Sequence, residues 1–179
     1  MKKTMMFGLG ILLLSSCATM AGKEMKDGAM ADGAMADKAG APASYVLQRQ
    51  PAADTKTADG LAANPVGNAE VTTTADTVST TTKLTGMLPN TYYVAHFHVM
   101  GTDNNSGEAD PNDPCKSNGD PILSSKMVAQ SDAGGAVTLT GSVAKADVLK
   151  ATYYNVHTSK DAEGTPADPG VACSAVTIK

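Results

Sequence analysis

The chain has 179 residues, with fourteen basic against eighteen acidic side chains and a formal net charge of −4. It has no Trp, two Phe and no basic patch, a composition that argues against nucleic-acid binding. With only three Cys and three His, the place of each carries information.

Lys2 and Lys3 precede a short apolar run, Phe7 to Leu14, which is too short to span a bilayer as a helix. Leu14-Ser15-Ser16-Cys17 closes that run and resembles the lipobox read by bacterial lipoprotein signal peptidase. Small residues ahead of the cut let the backbone enter a protease, and the thiol is the atom that takes the diacylglycerol. Residues 1–16 are therefore expected to be a lipoprotein signal peptide, with Cys17 as the lipidated N-terminus of the mature chain. Loss of Lys2 and Lys3 leaves twelve basic residues against eighteen acidic ones, a net charge near −6. No later stretch is apolar enough to cross a membrane, so the expected state is anchored, not spanning. The expected location is the bacterial cell envelope, at the outer membrane or the outer face of the plasma membrane. Export also means an oxidising compartment, so the two remaining cysteines, Cys115 and Cys173, read first as a disulfide.

Residues 17–43 read as a disordered tether. Gly-Ala-Met-Ala-Asp occurs twice in tandem from Gly28, and Met20, Met25, Met30 and Met35 recur every five residues, a period that fits no helix face well. Small, polar and poor in aromatics, the stretch cannot bury a core. Its thioethers are soft ligands suited to Cu(I), so the segment reads as a spacer or as a copper-collecting arm.

Residues 44–179 suffice for one domain. Short β-prone runs punctuated by turn residues predict strands near 44–49, 68–74, 77–86, 91–100, 123–131, 136–143, 151–158 and 171–178. Gly86 to Asn90, with Pro89, reads as a turn, and Asp-Ala-Gly-Gly at 132–135 as a hairpin turn. No convincing helical period appears. Eight short strands imply an all-β fold, an eight-stranded antiparallel barrel or sandwich. Two long connections, 101–122 and 159–170, are rich in Asp, Gly, Pro and Asn, and loops of that length are often functional. The acidic run Asp103 to Asp110 reads as a polar turn more readily than as a calcium loop, because it lacks the full ligand pattern.

The histidines fall on two of these strands. In Tyr92 to Met100, period two gives Tyr93, Ala95, Phe97 and Val99 one apolar face, fit for the core. His96 and His98 share the opposite face, where a metal could sit outside the barrel wall. His157 follows in Tyr153-Tyr154-Asn155-Val156-His157-Thr158, with Val156 pointing away from it. Imidazole suits Cu and Zn, and two imidazoles on one strand face can meet one ion.

The order of these residues resembles the Cu/Zn superoxide dismutase family. The blocks that carry the resemblance are Thr85-Gly86-Met87-Leu88, His96-Phe97-His98, Gly101 and Cys115, then Val156-His157, Asp161 to Gly170, and Val171-Ala172-Cys173-Ser174-Ala175-Val176. It spans roughly 44–179 in order, with thin identity between blocks. It implies a Greek-key β-barrel, a Cys115–Cys173 disulfide, and one copper ion held by His96, His98 and His157, which would also be the catalytic residues. The departures are equally informative. No histidine lies in 116–126, so the ligand that bridges copper to zinc in the family is absent. The zinc histidines are missing, and Ser124 or Ser125 falls near the place of the zinc aspartate, so no zinc is expected. Gly170 stands where the family has its active-site arginine. Asp161 resembles an acidic loop residue that orients ligands in the family, and reads equally well as a solvated carboxylate. A second resemblance, to CHRD domains, rests on the His-x-His strand and on Tyr153 to Thr158.

Together these imply an envelope-anchored, copper-only superoxide dismutase-like protein whose partners are the membrane, through its lipid anchor, and superoxide or the copper ion. The alternative is a non-catalytic copper-binding lipoprotein of CHRD-like type.

Overall fold

A computed structural model describes residues 40–101 and 113–179. Cys17, the Met-rich repeats and the acidic run 103–110 lie outside the described residues. The chain is all-β, as expected. Nine strands occur among the described residues: β1 (Ala43–Val46), β2 (Gln48–Arg49), β3 (Val66–Thr73), β4 (Thr77–Thr85), β5 (Tyr92–His98), β6 (Met127–Gln130), β7 (Val137–Ala144), β8 (Tyr153–Thr158) and β9 (Ala172–Ala175). They form a four-stranded sheet in the order β1-β3-β4-β7 and a five-stranded sheet in the order β2-β9-β8-β5-β6. Every pairing is antiparallel.

Each expected strand region carries a strand, with four differences. The first region splits: Leu47 turns into the core, and the chain passes from one sheet to the other around it. β1 also opens earlier than the expected domain start, at Ala43, and Gly40 N–H donates to the Thr73 carbonyl. Residues 123–125 form a 3-10 turn, because the Ser125 hydroxyl takes the Phe97 N–H that a ladder partner would otherwise accept. A four-residue helix, α1 (Lys145–Val148), joins β7 to β8, too short to leave a period in the sequence.

The 132–135 turn exists, yet it is not a hairpin turn. Asp132 Oδ1 accepts from the N–H groups of Gly134 and Ala136, while the strands on either side, β6 and β7, belong to different sheets. The turn is held against the 86–91 turn through Gly135 O, which accepts from Met87 N–H, and Asp132 O, which accepts from Asn90 N–H. These contacts direct it across the sandwich.

The core lies between the sheets. Alternation along β4 sends Val78, Thr80, Thr82 and Leu84 inward, facing Tyr93, Ala95, Phe97, Tyr154 and Val156 of the other sheet. Thr82 and Tyr154 are both fully buried, and their hydroxyls bond to each other at 2.8 Å, which offsets the cost of removing them from water. Val99 departs from expectation: β5 ends at His98, and Val99 N–H turns to the Asp120 carbonyl.

Candidate metal centre

The outer face of the five-stranded sheet carries the histidines. In the β5–β8 pairing, Val94 stands opposite His157, His96 opposite Asn155, and His98 opposite Tyr153. All three histidines therefore project from one face, away from the Phe97–Tyr154 core pair. That face is outside the sandwich but not exposed. His96 is 2% exposed, and His98 and His157 are 5% exposed each.

Two loop segments cover it. The Cys115–Cys173 disulfide ties segment 113–121 down, with a Cα–Cα separation of 5.9 Å across 58 residues of sequence. Cys173 lies opposite Asn155 in the β8–β9 register, so the bridge anchors its loop beside the histidines. The loop approaches closely because Gly101 and Gly119 face each other's backbone. A Cβ on Gly101 would lie 1.7 Å from the Ser117 carbonyl oxygen, and one on Gly119 would lie 1.9 Å from that of Val99. Segment 159–170 covers the other side, and Pro166 and Pro169 line the cleft.

The three histidines offer ligand atoms that all lie within 4.8 Å of one another. Backbone carbonyls fix two of the tautomers. His98 Nδ1 donates to the Gly119 carbonyl at 2.8 Å, and His157 Nδ1 donates to the Asp168 carbonyl at 2.9 Å. A carbonyl can only accept, so the proton sits on Nδ1 and each Nε2 keeps its lone pair. Those two Nε2 atoms and His96 Nδ1 are buried and have no hydrogen-bond partner among the described residues. Three converging, orphaned imidazole nitrogens are what a tri-histidine metal site requires. The cluster could hold a metal ion.

Electrostatics agree. Burial pushes His96 down to about 3, helped by the neighbouring His98 and His157. Burial pushes His98 down to about 4 against the opposing pull of the Gly119 carbonyl. His157 is also lowered, again by burial. The Asp168 carboxylate stands 3.9 Å from His157 Nδ1 and favours the charged ring, yet burial outweighs it. All three rings are neutral at pH 7, the form that coordinates metal.

Asp161 takes no part in orienting the histidines: its carboxylate accepts from Thr165 N–H and closes its own turn. Asp168 stands at the site instead. Its carbonyl takes the His157 proton, and its carboxylate accepts from the N–H groups of Thr158 and Gly170. Asp168-Pro169-Gly170 is a readable Asx-turn signature, and that was the available signal. Ser125 is used in the Phe97 bond already described. Gly170, at φ +127°, presses on Asn155, and a Cβ there would lie 2.3 Å from Asn155 Oδ1. No side chain, arginine included, fits at that position without moving Asn155. Tyr153 and Asn155 join His157 on the buried face, as period two along β8 implies.

The histidines open into a cleft of about 580 Å³ whose rim includes Lys116, Asn118 and Asp120. A cleft of about 660 Å³ lies behind residues 167–169, lined largely by Ala, Pro, Thr and Leu, with no comparable cluster of ligand atoms. Comparison of the chain with protein-family models and with curated proteins found no match.

Proposed function

We propose that the domain holds one copper ion, without zinc, between His96 Nδ1, His98 Nε2 and His157 Nε2, as a copper-only superoxide dismutase-like protein of the bacterial envelope. The single observation that carries this reading is the set of three buried, unpartnered nitrogens converging from β5 and β8. Three neutral imidazoles suit copper, and no carboxylate or thiolate joins them among the described residues. Copper bound there would supply single-electron exchange with superoxide, yielding dioxygen in one half-reaction and, with two protons, hydrogen peroxide in the other.

The chain's own contribution is rigidity and access. Gly119 and Asp168 hold the two Nδ1 protons, so neither Nε2 is occupied by a proton that a metal would have to displace. The disulfide-pinned loop restricts water at the histidines while leaving the cleft open to a small solute. The Leu14 to Cys17 motif supports a lipid anchor for the mature chain.

A second reading, a copper-holding protein without turnover, is favoured by two features. Gly170, at the position where the resembled family has its arginine, packs against Asn155 with no room for a side chain, and the net negative charge opposes an approaching anion.

The deciding experiment titrates the protein with Cu(II) and Zn(II), then follows superoxide decay. Wild type should take one copper, and His157→Ala should bind it more than about 100-fold more weakly, since losing a ligand costs more than losing an outer partner. Equal affinity for the variant would remove His157 from the site. If copper binds but superoxide decays no faster than with His96→Ala, the dismutase reading falls and the copper-holding one stands.

A further inference from the structure

We infer that Tyr153 is a positioning residue for His98, holding both the plane of its ring and the carbonyl that fixes its proton. The inference rests on the metal-site reading for its purpose, though not for its geometry.

Tyr153 lies opposite His98 in the β5–β8 register, and the two rings stack at 4.4 Å between centroids with an interplanar angle of 17°. The other contacts among cleft rings are tilted, with His96 at 52° to His98 and 42° to His157. A parallel contact restrains rotation of the imidazole about its Cβ–Cγ bond, the soft torsion that aims Nε2.

The phenol does the second part. Its oxygen accepts from Gly119 N–H at 2.8 Å, and its O–H donates to the Gly119 carbonyl at 3.1 Å. The same carbonyl takes His98 Nδ1–H at 2.8 Å. Gly119 O thus receives two protons, one on each lone pair, and cannot swing toward one partner without losing the other. The result is a closed circuit: β8 holds the phenol, the phenol holds both the N–H and the carbonyl of Gly119, that carbonyl holds His98, and the His98 ring lies on the phenol. At 2% exposure, Tyr153 is shielded from competing water.

His157 provides an internal control. Its proton goes to the Asp168 carbonyl, in a segment held by the Asp168 carboxylate and remote from Tyr153's bonds. Loss of Tyr153 should therefore disturb His98 and spare His157, whereas a general loosening of the fold would disturb both.

The test uses Tyr153→Phe, which keeps the stack and removes the oxygen, and Tyr153→Leu, which removes both. Nitrogen-15 NMR of the histidine rings in the metal-free full-length protein reads tautomer and Nδ1–H exchange. Tyr153→Phe should speed exchange of the His98 Nδ1 proton at least about tenfold, with His157 unchanged. Tyr153→Leu should give a mixed His98 tautomer. Copper affinity should fall about 10–100-fold in the Leu variant, the range for removal of an outer-shell partner, and less in the Phe variant. Wild-type tautomer and exchange at His98 in Tyr153→Phe would overturn the inference, and so would equal changes at His98 and His157. The Phe variant decides the matter if the Leu variant fails to fold. If wild type takes up no copper while His98 still responds as expected, the metal reading falls and the positioning role stands.

Discussion

At the scale of the residue, the fact that organises the site is that three imidazoles are kept neutral by burial. Charging one of them would place a cation in a poorly hydrated space, and charging a second would set like charges side by side, which is why His96 falls to about 3 and His98 to about 4. This links the site to folding. Each folded-state value lies below the ordinary histidine value of 6.5, so the unfolded chain takes up protons that the folded chain refuses. Stability of the metal-free protein is then complete above about pH 6.5 and falls steadily as pH drops toward 4, by on the order of 1.4 kcal/mol per pH unit for each ring held neutral. Urea midpoints between pH 7.5 and 4.5 should show this loss, and His96→Ala should flatten it. A slope unchanged in that variant would mean that the acid sensitivity arises elsewhere.

At the scale of the element, period-two alternation made β5 legible. It gave the strand, its core residues and the shared face of His96 and His98, because a half-buried strand writes its two environments into alternate positions. Sequence alternation could not show that the outer face is buried too. That cover depends on contacts far apart in the chain: Gly101 against Ser117, Cys115 against Cys173, and Asp168 beneath His157. The same limit explains Asp161. Three acidic residues follow His157 in its loop, Asp161, Glu163 and Asp168, and only the path of the loop decides that Asp161 closes a turn while the Asp168 carbonyl meets His157. The 132–135 turn was legible as a turn, whereas its crossing between sheets depends on partners near residue 88. The disulfide acts at this scale. A bridge across 58 residues contributes about 4 kcal/mol in the chain-entropy account, and it holds the loop whose Gly119 carbonyl orients His98. Cys115→Ser should therefore lower stability by about that amount and also weaken copper binding, as read by chemical denaturation and by competition with a chelator. A stability loss with copper affinity untouched would separate the loop from the site.

At the scale of the whole molecule, the proposed envelope setting makes the parts consistent. A disulfide suits an oxidising, exported environment, and three neutral imidazoles would suit copper there. No helix among the described residues is long and apolar enough to cross a membrane. In the proposed reading, attachment is through the lipid on Cys17. Covalent geometry limits the chain between Cys17 and Gly40 to at most about 80 Å, at about 3.5 Å per residue, so an anchored domain would stay near the surface it protects or supplies. Because the histidine cluster is built wholly from residues 96–173 and their loops, anchoring and metal binding should be separable. Cys17→Ser should block processing or release the protein from membranes, while leaving the copper stoichiometry and affinity of the purified protein at wild-type values. Membrane fractionation, incorporation of labelled fatty acid and a copper titration on the same preparation would measure all three. A Cys17→Ser protein that still fractionates with acylated lipoproteins would place the anchor elsewhere, and one that loses copper would tie the N-terminal segment to the metal site.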